Sequence, residues 1–443
     1  MNPETVALFM FGTLFVVLFL GHPLAFSLGA TAVLYGLIGW GGSPDQIFGI
    51  FANKTYGVME EYVLVAVPLF IFMAQMLDAS GVAEKLFHTM HVLWGPVRGG
   101  LGIAVVMVCT VFAASTGVVG ATEVAIGLLA APNLLKRGYD IPMTAGCICA
   151  GGTLGILIPP SIMLVVYGGL TNISVGKLFA AAMLPGLTLS ALYMTYIAVR
   201  CGLNPEMGPP LPKEERTHTV KQKMYMILTS LVPPMFLILM VLGSIVAGVA
   251  TTTEAAGLGA LGATILALVY GRLTWDAIVD ASTSTLKITS MVMVLFLGGN
   301  AFQSIFMGLG GGDSVSSLLL GLEVSPYAVL FIMMGIVFFL GMFIDWLGIL
   351  LIVIPVFTPV AQELGFDPLW FGTLICVNLQ MAFLTPPFGY SLFYLRGIAP
   401  PEMTMGLIYK GVVPFICLQW VGLIACIVYP PLVMYLPTAL FGE

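Results

Sequence analysis

One motif constrains this chain more than anything else in it: it occurs twice, 227 residues apart, inside strongly apolar sequence. The first copy runs Pro132-Asn-Leu-Leu-Lys-Arg-Gly138-Tyr-Asp140, then Cys149, then Leu157-Ile-Pro159-Pro160. The second runs Pro359-Val-Ala-Gln-Glu-Leu-Gly365-Phe-Asp367, then Cys376, then Leu384-Thr-Pro386-Pro387. At this single offset eight of the 29 positions from Pro132 to Pro160 are identical, and Tyr167 falls on Tyr394. A chain duplicated in this way builds one structural unit twice. Two consecutive prolines remove two backbone donors and clash with the preceding turn, so each copy breaks a helix at the same place.

The solvent for most of the chain is lipid. Of 443 residues, 59% are hydrophobic and 8% charged, and the mean hydropathy is +1.06. A soluble domain of this length cannot hide that much apolar surface. The net charge of −6 comes from few charges and gives no support to a nucleic-acid partner. Seven Cys without CxxC spacing read as small buried hydrophobes rather than disulfides or metal ligands. The four His (His22, His88, His91 and His218) do not point to metal catalysis. The first apolar run, Val6 to Leu20, has no basic residue before it and no small-residue cleavage site after it. It reads as a transmembrane helix rather than a signal peptide.

Lys and Arg mark the cytoplasmic side. Five of the fifteen fall between Arg200 and Lys223, in the only long polar stretch. That stretch reads as a cytoplasmic linker (201–223) between two halves, 1–200 and 224–443. In the first half the pattern predicts scaffold helices over about 4–80, a hairpin over 101–135 and a broken helix over 142–168. In the second it predicts scaffold helices over about 225–307, an outer Gly-rich loop from Gly308 to Ser325, a hairpin over 327–360, a broken helix over 368–395 and a last helix over about 404–437.

The hairpins follow from arithmetic. Leu101 to Leu135 is 35 mostly apolar residues with a basic marker at each end. One crossing takes about 20 residues, so this length is too long for one and short for two. Its centre, Ala113-Ala-Ser115-Thr116-Gly117-Val-Val-Gly120-Ala-Thr122, is small and polar. Two arms of about 15 residues reach roughly 22 Å, past the midplane but not across. Tyr327 to Val360 repeats the pattern around Gly341-Met-Phe-Ile-Asp345-Trp-Leu-Gly348, flanked by the acids Glu323, Glu363 and Asp367. Opposite flanking charge predicts opposite sidedness, hence an inverted repeat. The fold class is an all-α polytopic membrane protein with two re-entrant helical hairpins and two broken helices.

Each hairpin is followed by its broken helix, Gly151-Gly152-Thr153 to Pro159-Pro160-Ser161 and Asn378-Leu-Gln380 to Thr385-Pro386-Pro387-Phe-Gly389. Unpaired backbone in hydrocarbon costs several kcal/mol per group, so it persists only inside protein or around a wet cavity. Freed carbonyls and Ser/Thr hydroxyls are hard oxygen ligands suited to Na⁺, and half-helix N-termini present positive dipole ends to an anion. These features point to a secondary transporter.

The chain resembles the large membrane subunit of a tripartite ATP-independent periplasmic (TRAP) transporter. The matching segments run in order along it: Gly21-His-Pro23; Val67-Pro-Leu-Phe with Ser80-Gly-Val-Ala-Glu-Lys85; Ala114-Ser-Thr-Gly117; Ile158-Pro-Pro-Ser161 with Tyr167-Gly168; Ala250-Thr-Thr-Thr-Glu-Ala-Ala256; Gly341-Met-Phe-Ile-Asp345; and Thr385-Pro-Pro-Phe-Gly389. One departure is Thr251-Thr-Thr-Glu254-Ala, where the family usually has Thr-Pro-Thr-Glu-Ala. The resemblance implies an elevator-type, ion-transporter-like architecture in the bacterial inner membrane and Na⁺ as coupling ion, with no other cofactor. It further implies a small four-helix membrane subunit and a periplasmic binding protein that delivers a carboxylate or sulfonate.

On this reading one Na⁺ lies among Ser115, Thr116, Gly117, Gly152, Thr153 and Pro159. A second lies among Gly341, Asp345, Gln380, Thr385 and Pro386. Thr116, Ser161, Gly348 and Gly389 are the expected solute contacts. Glu123, in the returning arm of the first hairpin, reads as a proton site, an ion ligand or a backbone-bonded acid. Glu254, next to three Thr at a helix start, reads as a capping or packing acid. Lys287, Asn300 and Gln303 share one crossing, where snorkelling or helix bridging accounts for them. Trp40, Trp94 and Trp275 fall near membrane interfaces.

Three rival readings exist. Gly310-Gly-Gly312-Asp313 and Tyr139-Asp140 match the GxGD and YD pairs of intramembrane aspartyl proteases. The two acids are expected on opposite sides of the membrane, where they cannot share a proton. A channel lacks any charged ring or filter repeat here. A stand-alone Na⁺/divalent-anion symporter of the same architecture is the alternative that composition and spacing leave open.

Overall fold

The structure is a computed structural model that describes residues 3–39, 43–117 and 119–442, with Pro3, Glu4, Thr116 and Ala121 described by backbone alone. Trp40, expected near an interface, lies outside the described residues. The first half comprises α1 (Pro3–Phe19), α2 (Leu24–Gly39), α3 (Pro44–Glu60), α4 (Ala66–Ala79), α5 (Val82–Trp94), a hairpin of α6 (Gly100–Thr116) and α7 (Val119–Lys136), a helix broken between α8 (Ile141–Thr153) and α9 (Ile162–Thr171), and the long α10 (Val175–Leu203). A linker of short turns leads to α11 (Val220–Ser230). The second half comprises α12 (Val232–Val246), α13 (Thr252–Val269), α14 (Trp275–Gly308), α15 (Gly311–Leu320), a hairpin of α16 (Pro326–Gly341) and α17 (Trp346–Glu363), a helix broken between α18 (Pro368–Leu384) and α19 (Tyr390–Ile398), then α20 (Met405–Val428) and α21 (Pro431–Phe441).

The 227-residue offset carries through the whole fold. Shifted by it, α1 and α2 fall on α12 and α13, α5 on α15, the first hairpin on the second, and α8 and α9 on α18 and α19. The chief difference is that α3 and α4 are separate, joined through a 3-10 turn at Tyr62–Val65, where the second half has the unbroken α14. Pro68, in the first turn of α4, explains the interruption, because a proline there starts a helix and cannot continue one. The packing repeats too. α2 packs on α14 and α4 on α13, which are the same contact with the halves exchanged.

Both hairpins are re-entrant. The linker straps the two feet of the first: Gly99 N–H donates to Gly208 O at 2.9 Å and Asp140 N–H to Met207 O at 3.1 Å. The feet of the second meet through Tyr327 and Phe366, whose ring centroids lie 5.5 Å apart. Among the described residues, seven helices are long and apolar enough to cross a membrane. One expectation is corrected. The segment Gly308 to Ser325 is not a loop but carries α15, which the repeat demands opposite α5 and whose Gly311, Gly312 and Leu319 are buried.

Candidate functional site

The same local chemistry starts both broken helices. Gly138 and Gly365 take left-handed conformations (φ 75° and 82°) and end the hairpins' returning arms. Two residues on, Asp140 and Asp367 each accept a hydrogen bond at 2.9 Å from the N–H three residues ahead, of Met143 and Trp370. These caps satisfy orphan donors and fix where each helix begins. From Met143 to Thr153 and from Leu369 to Leu384 every residue is buried, so both helices run through protein rather than lipid. That setting tolerates the interruptions, which fall at the cis peptide bonds Pro159–Pro160 and Pro386–Pro387.

Each hairpin tip presses on its own break. Gly117, at the first tip, has φ 64°, and a Cβ there would lie 2.8 Å from the Pro160 carbonyl oxygen. Gly341, at the second, would place a Cβ 2.1 Å from that of Ala382. Only glycine permits either approach. The tips converge on one cavity of about 100 Å³, lined by Gly117, Val119 and Gly120 from the first and Asp345, Trp346 and Leu347 from the second. Ile156 and Phe383 contribute from the two broken helices, and Tyr394, Ile71 and α14 complete the wall.

The breaks also bond to each other. Gln380 Nε2 donates to Thr153 Oγ1 at 3.4 Å, and these two residues are separated by the repeat offset of 227. They are therefore equivalent positions meeting across the pseudo-twofold axis. Thr153, in turn, donates its proton to Ala150 O at 2.9 Å. Ser115 donates to Phe112 O at 2.8 Å, and Thr385 to Met381 O at 2.7 Å. Each hydroxyl has only one proton, so all three leave their lone pairs as acceptors. The Gln380 amide oxygen is buried with no hydrogen-bond partner among the described residues.

The other expected site residues are placed as follows. Gly152 faces the Glu123 side chain, whose Cβ would stand 3.1 Å from a Cβ added there. Asp345 caps α17 through Oδ2, which accepts from Leu347 N–H at 3.3 Å, and lines the tip cavity. Ser161 is fully buried and donates to the Ile156 carbonyl of its own break. Gly348 packs against Leu24 of α2, and Gly389 closes the turn behind the second break against the Phe383 carbonyl; neither lines the cavity. Thr116 ends α6 next to the tip. Glu254 forms a capping box, accepting from Thr251 N–H at 2.7 Å.

Sequence reasoning missed a buried cluster behind the breaks. Ser391 Oγ donates to Glu123 Oε1 at 2.9 Å and lies 3.4 Å from Cys149 O. Glu123 is fully buried, and its second oxygen has no partner among the described residues. The cluster ties hairpin one, α8 and α19 together. Nothing local to Ser391 signals this, since its partner is 268 residues away. The rival protease pair is not assembled: Asp140 caps α8, while Asp313 is an exposed residue in the first turn of α15.

A vestibule of about 780 Å³ continues from the tip cavity and shares Gly120, Met291, Ile288 and Tyr394 with it. It runs between α7, α4 and α14 to the end of the molecule that carries Gly81, Glu84 and Arg272.

Comparison with known proteins agrees with this architecture. Residues 11–432 match the family described as tripartite ATP-independent periplasmic transporter, DctM component. The chain is 34% identical to the C4-dicarboxylate TRAP transporter large permease protein DctM of Pseudomonas aeruginosa over 89% of its length and 90% of the relative's. It is 31% identical to the ectoine/5-hydroxyectoine TRAP transporter large permease protein UehC of Ruegeria pomeroyi, over 98% of this chain and 99% of that one. In fold it is similar to the crystal structure of the Alcanivorax borkumensis YdaH transporter, described as having an unusual topology: TM-score 0.59, 18% identity, 88% of this chain and 90% of that one. These relatives are permeases, not enzymes. The chain belongs to the DctM component family of tripartite ATP-independent periplasmic transporters, as a large permease and a multi-pass protein of the bacterial inner membrane.

Proposed function

We propose that this permease imports a small organic acid, a carboxylate or sulfonate, by coupling it to Na⁺. One Na⁺ lies between the first tip (Ser115–Gly117) and the first break (Gly152–Pro159), the other between Gly341–Asp345 and Gln380–Pro386. The observation that carries this reading is the convergence of both tips on one cavity beside both breaks. Ser115, Thr153 and Thr385, on the hairpin and broken helices beside it rather than in its lining, have already given their protons to carbonyls. Oxygens set as acceptors suit a cation and offer nothing to an apolar ligand. One net positive charge moving down 100 mV releases about 2.3 kcal/mol, enough for roughly 50-fold accumulation.

The mechanism is an elevator. The hairpins and broken helices form the moving body, and α1–α4 with α12–α14 form the scaffold. Positive charge assigns Lys85, Arg98, Lys136 and Arg137 to the cytoplasm. On this assignment the vestibule leads from the tip cavity toward the cytoplasm. A binding protein on the outside delivers the solute, and a small four-helix subunit completes the membrane complex.

The test is reconstitution of this chain in vesicles with and without the small subunit and the binding protein. Radiolabelled C4-dicarboxylate and isethionate serve as probes under an imposed Na⁺ gradient. Saturable uptake that requires Na⁺ and both partners is expected. Uptake by the chain alone assigns it to the stand-alone symporter class instead, and uptake indifferent to Na⁺ removes the coupling.

A further inference from the structure

We propose that Lys287 is an anion-binding position at the throat between the tip cavity and the vestibule, taking the solute's carboxylate or sulfonate as it leaves the hairpin tips. The inference rests on the import of an organic anion argued above and adds the residue that receives it. Lys287 stands 12 residues into α14, about 18 Å along the helix from Trp275. It is exposed to the vestibule, and it immediately precedes Ile288, which with Met291 lines both cavities.

The other charges in the vestibule sit at its mouth. Arg272 Nη2 lies 3.7 Å from Glu84 Oε2, so those two offset each other. Asp78 is next to the last residue of α4 and does not reach the tip cavity. Among the described residues Lys287 has no carboxylate within 4.0 Å. An ammonium inside an apolar crossing is costly unless it faces water or an opposite charge. Here it lines the open vestibule, and the opposite charge is left to come from the passenger. The Gln75 and Ser284 side chains line the same cavity and can donate to the anion's remaining lone pairs. The order along the path is thus acceptor oxygens for Na⁺ at the tips, then an ammonium for the anion.

The test reads the local potential directly. In the full-length chain, Cys417, the exposed native thiol, is replaced by Ser, and Ser284→Cys is added as a reporter one helical turn from Lys287. Labelling rates are measured with an anionic (sulfonatoethyl) and a cationic (trimethylammonioethyl) methanethiosulfonate. Their ratio cancels any change in the reporter's own ionisation. At low ionic strength Lys287→Gln is expected to lower the anionic-to-cationic ratio by about sevenfold, as loss of a unit charge roughly 7 Å away in water requires, while Lys287→Arg preserves it. Raising the salt is expected to compress the ratio in the Lys287 chain, a reading that survives if the Gln variant does not fold. A ratio indifferent to Lys287→Gln overturns the assignment, as does, where that variant does not fold, a ratio indifferent to salt. Uptake by the complete complex is followed alongside. An unchanged ratio with Na⁺-dependent uptake intact sinks Lys287 alone, whereas no Na⁺-dependent anion uptake by the unmodified complex sinks the reading beneath it.

Discussion

On the proposed function, Thr385 is a hydroxyl whose oxygen is free to take an ion. Its proton is committed to Met381 O at 2.7 Å, it ends α18, and it is followed at once by the cis proline pair. Rotating the hydroxyl to offer its proton elsewhere would break that bond, so the oxygen presents lone pairs and little else. Thr385→Val keeps the shape and deletes the oxygen. The Na⁺ concentration for half-maximal uptake is expected to rise roughly tenfold, the equivalent of about 1.4 kcal/mol, with uptake recovering at saturating Na⁺. An unchanged Na⁺ titration takes Thr385 out of the site. Residue by residue, the sequence disclosed what depends on near neighbours. Glu254 was readable as a capping or packing acid because its cap partner is three residues away. Glu123 was visible as a buried acid, but its bond to Ser391 was not, because hydrophobic patterning carries no information about which distant hydroxyl will face it. The Thr153–Gln380 bond was hidden for another reason: the offset aligns the two positions, but their residue types differ.

At the scale of elements, proline pairs and charge arithmetic located both hairpins and both breaks, since these depend on length and on missing donors. Helix α15 escaped, because a run of glycines with no basic residue has the composition of a loop; only its amphipathic face and its partner α5 argue otherwise. That partner carries a titratable device of its own. α5, the linker and the foot of α7 enclose a cavity lined by His88, His91, Arg137, Glu215 and His218. Arg137 and Glu215 pair at 2.8 Å. Burial, and then the Arg137 guanidinium, push the His91 imidazole down to about 4. The unfolded chain protonates His91 near its ordinary value of 6.5, so between pH 6.5 and 4 unfolding takes up a proton that the folded state refuses. Stability contributed by the neutral ring is therefore full above pH 6.5 and is lost as the pH falls through that window. The melting temperature of the purified permease is expected to drop across it, and His91→Gln is expected to flatten the drop. Glu215 acts lower: Arg137 holds its carboxylate below the usual range, so its contribution fades only as the pH falls past that of an ordinary glutamate. Parallel melting curves for the His91→Gln variant and the parent would show that the imidazole is not the sensor.

For the whole molecule, the question is what can slide past what. α14 carries two adjacent glycines with different neighbours. A Cβ at Gly298 would lie 2.3 Å from Ala25 O of α2, and one at Gly299 would lie 2.2 Å from Leu351 Cδ1 of α17. The helix is thus seated backbone-close on the scaffold through one glycine and on the second hairpin through the next. Small residues at a helix contact let the partner approach closely, backbone to backbone at Gly298 and with the Leu351 side chain seated over Gly299, and that closeness compensates in dispersion what they lack in area. An elevator requires the Gly299–Leu351 contact to part while the Gly298–Ala25 contact holds. The Cβ of Leu351 is 3.0 Å from the position of a Cβ at Gly299, about half an ångström short of the range of about 3.5–4.5 Å that a disulfide takes. Gly299→Cys with Leu351→Cys, in a chain whose exposed Cys417 is Ser, should therefore cross-link readily under a membrane-permeant oxidant. Replacing Leu351 also removes the side chain that would obstruct the new sulfur. Cross-linking is expected to abolish uptake, and a reductant to restore it, while either single cysteine leaves uptake responsive to neither reagent. Quantitative cross-linking with full uptake would mean that α17 never leaves α14, and transport would then have to proceed by local opening of the tips within a fixed frame.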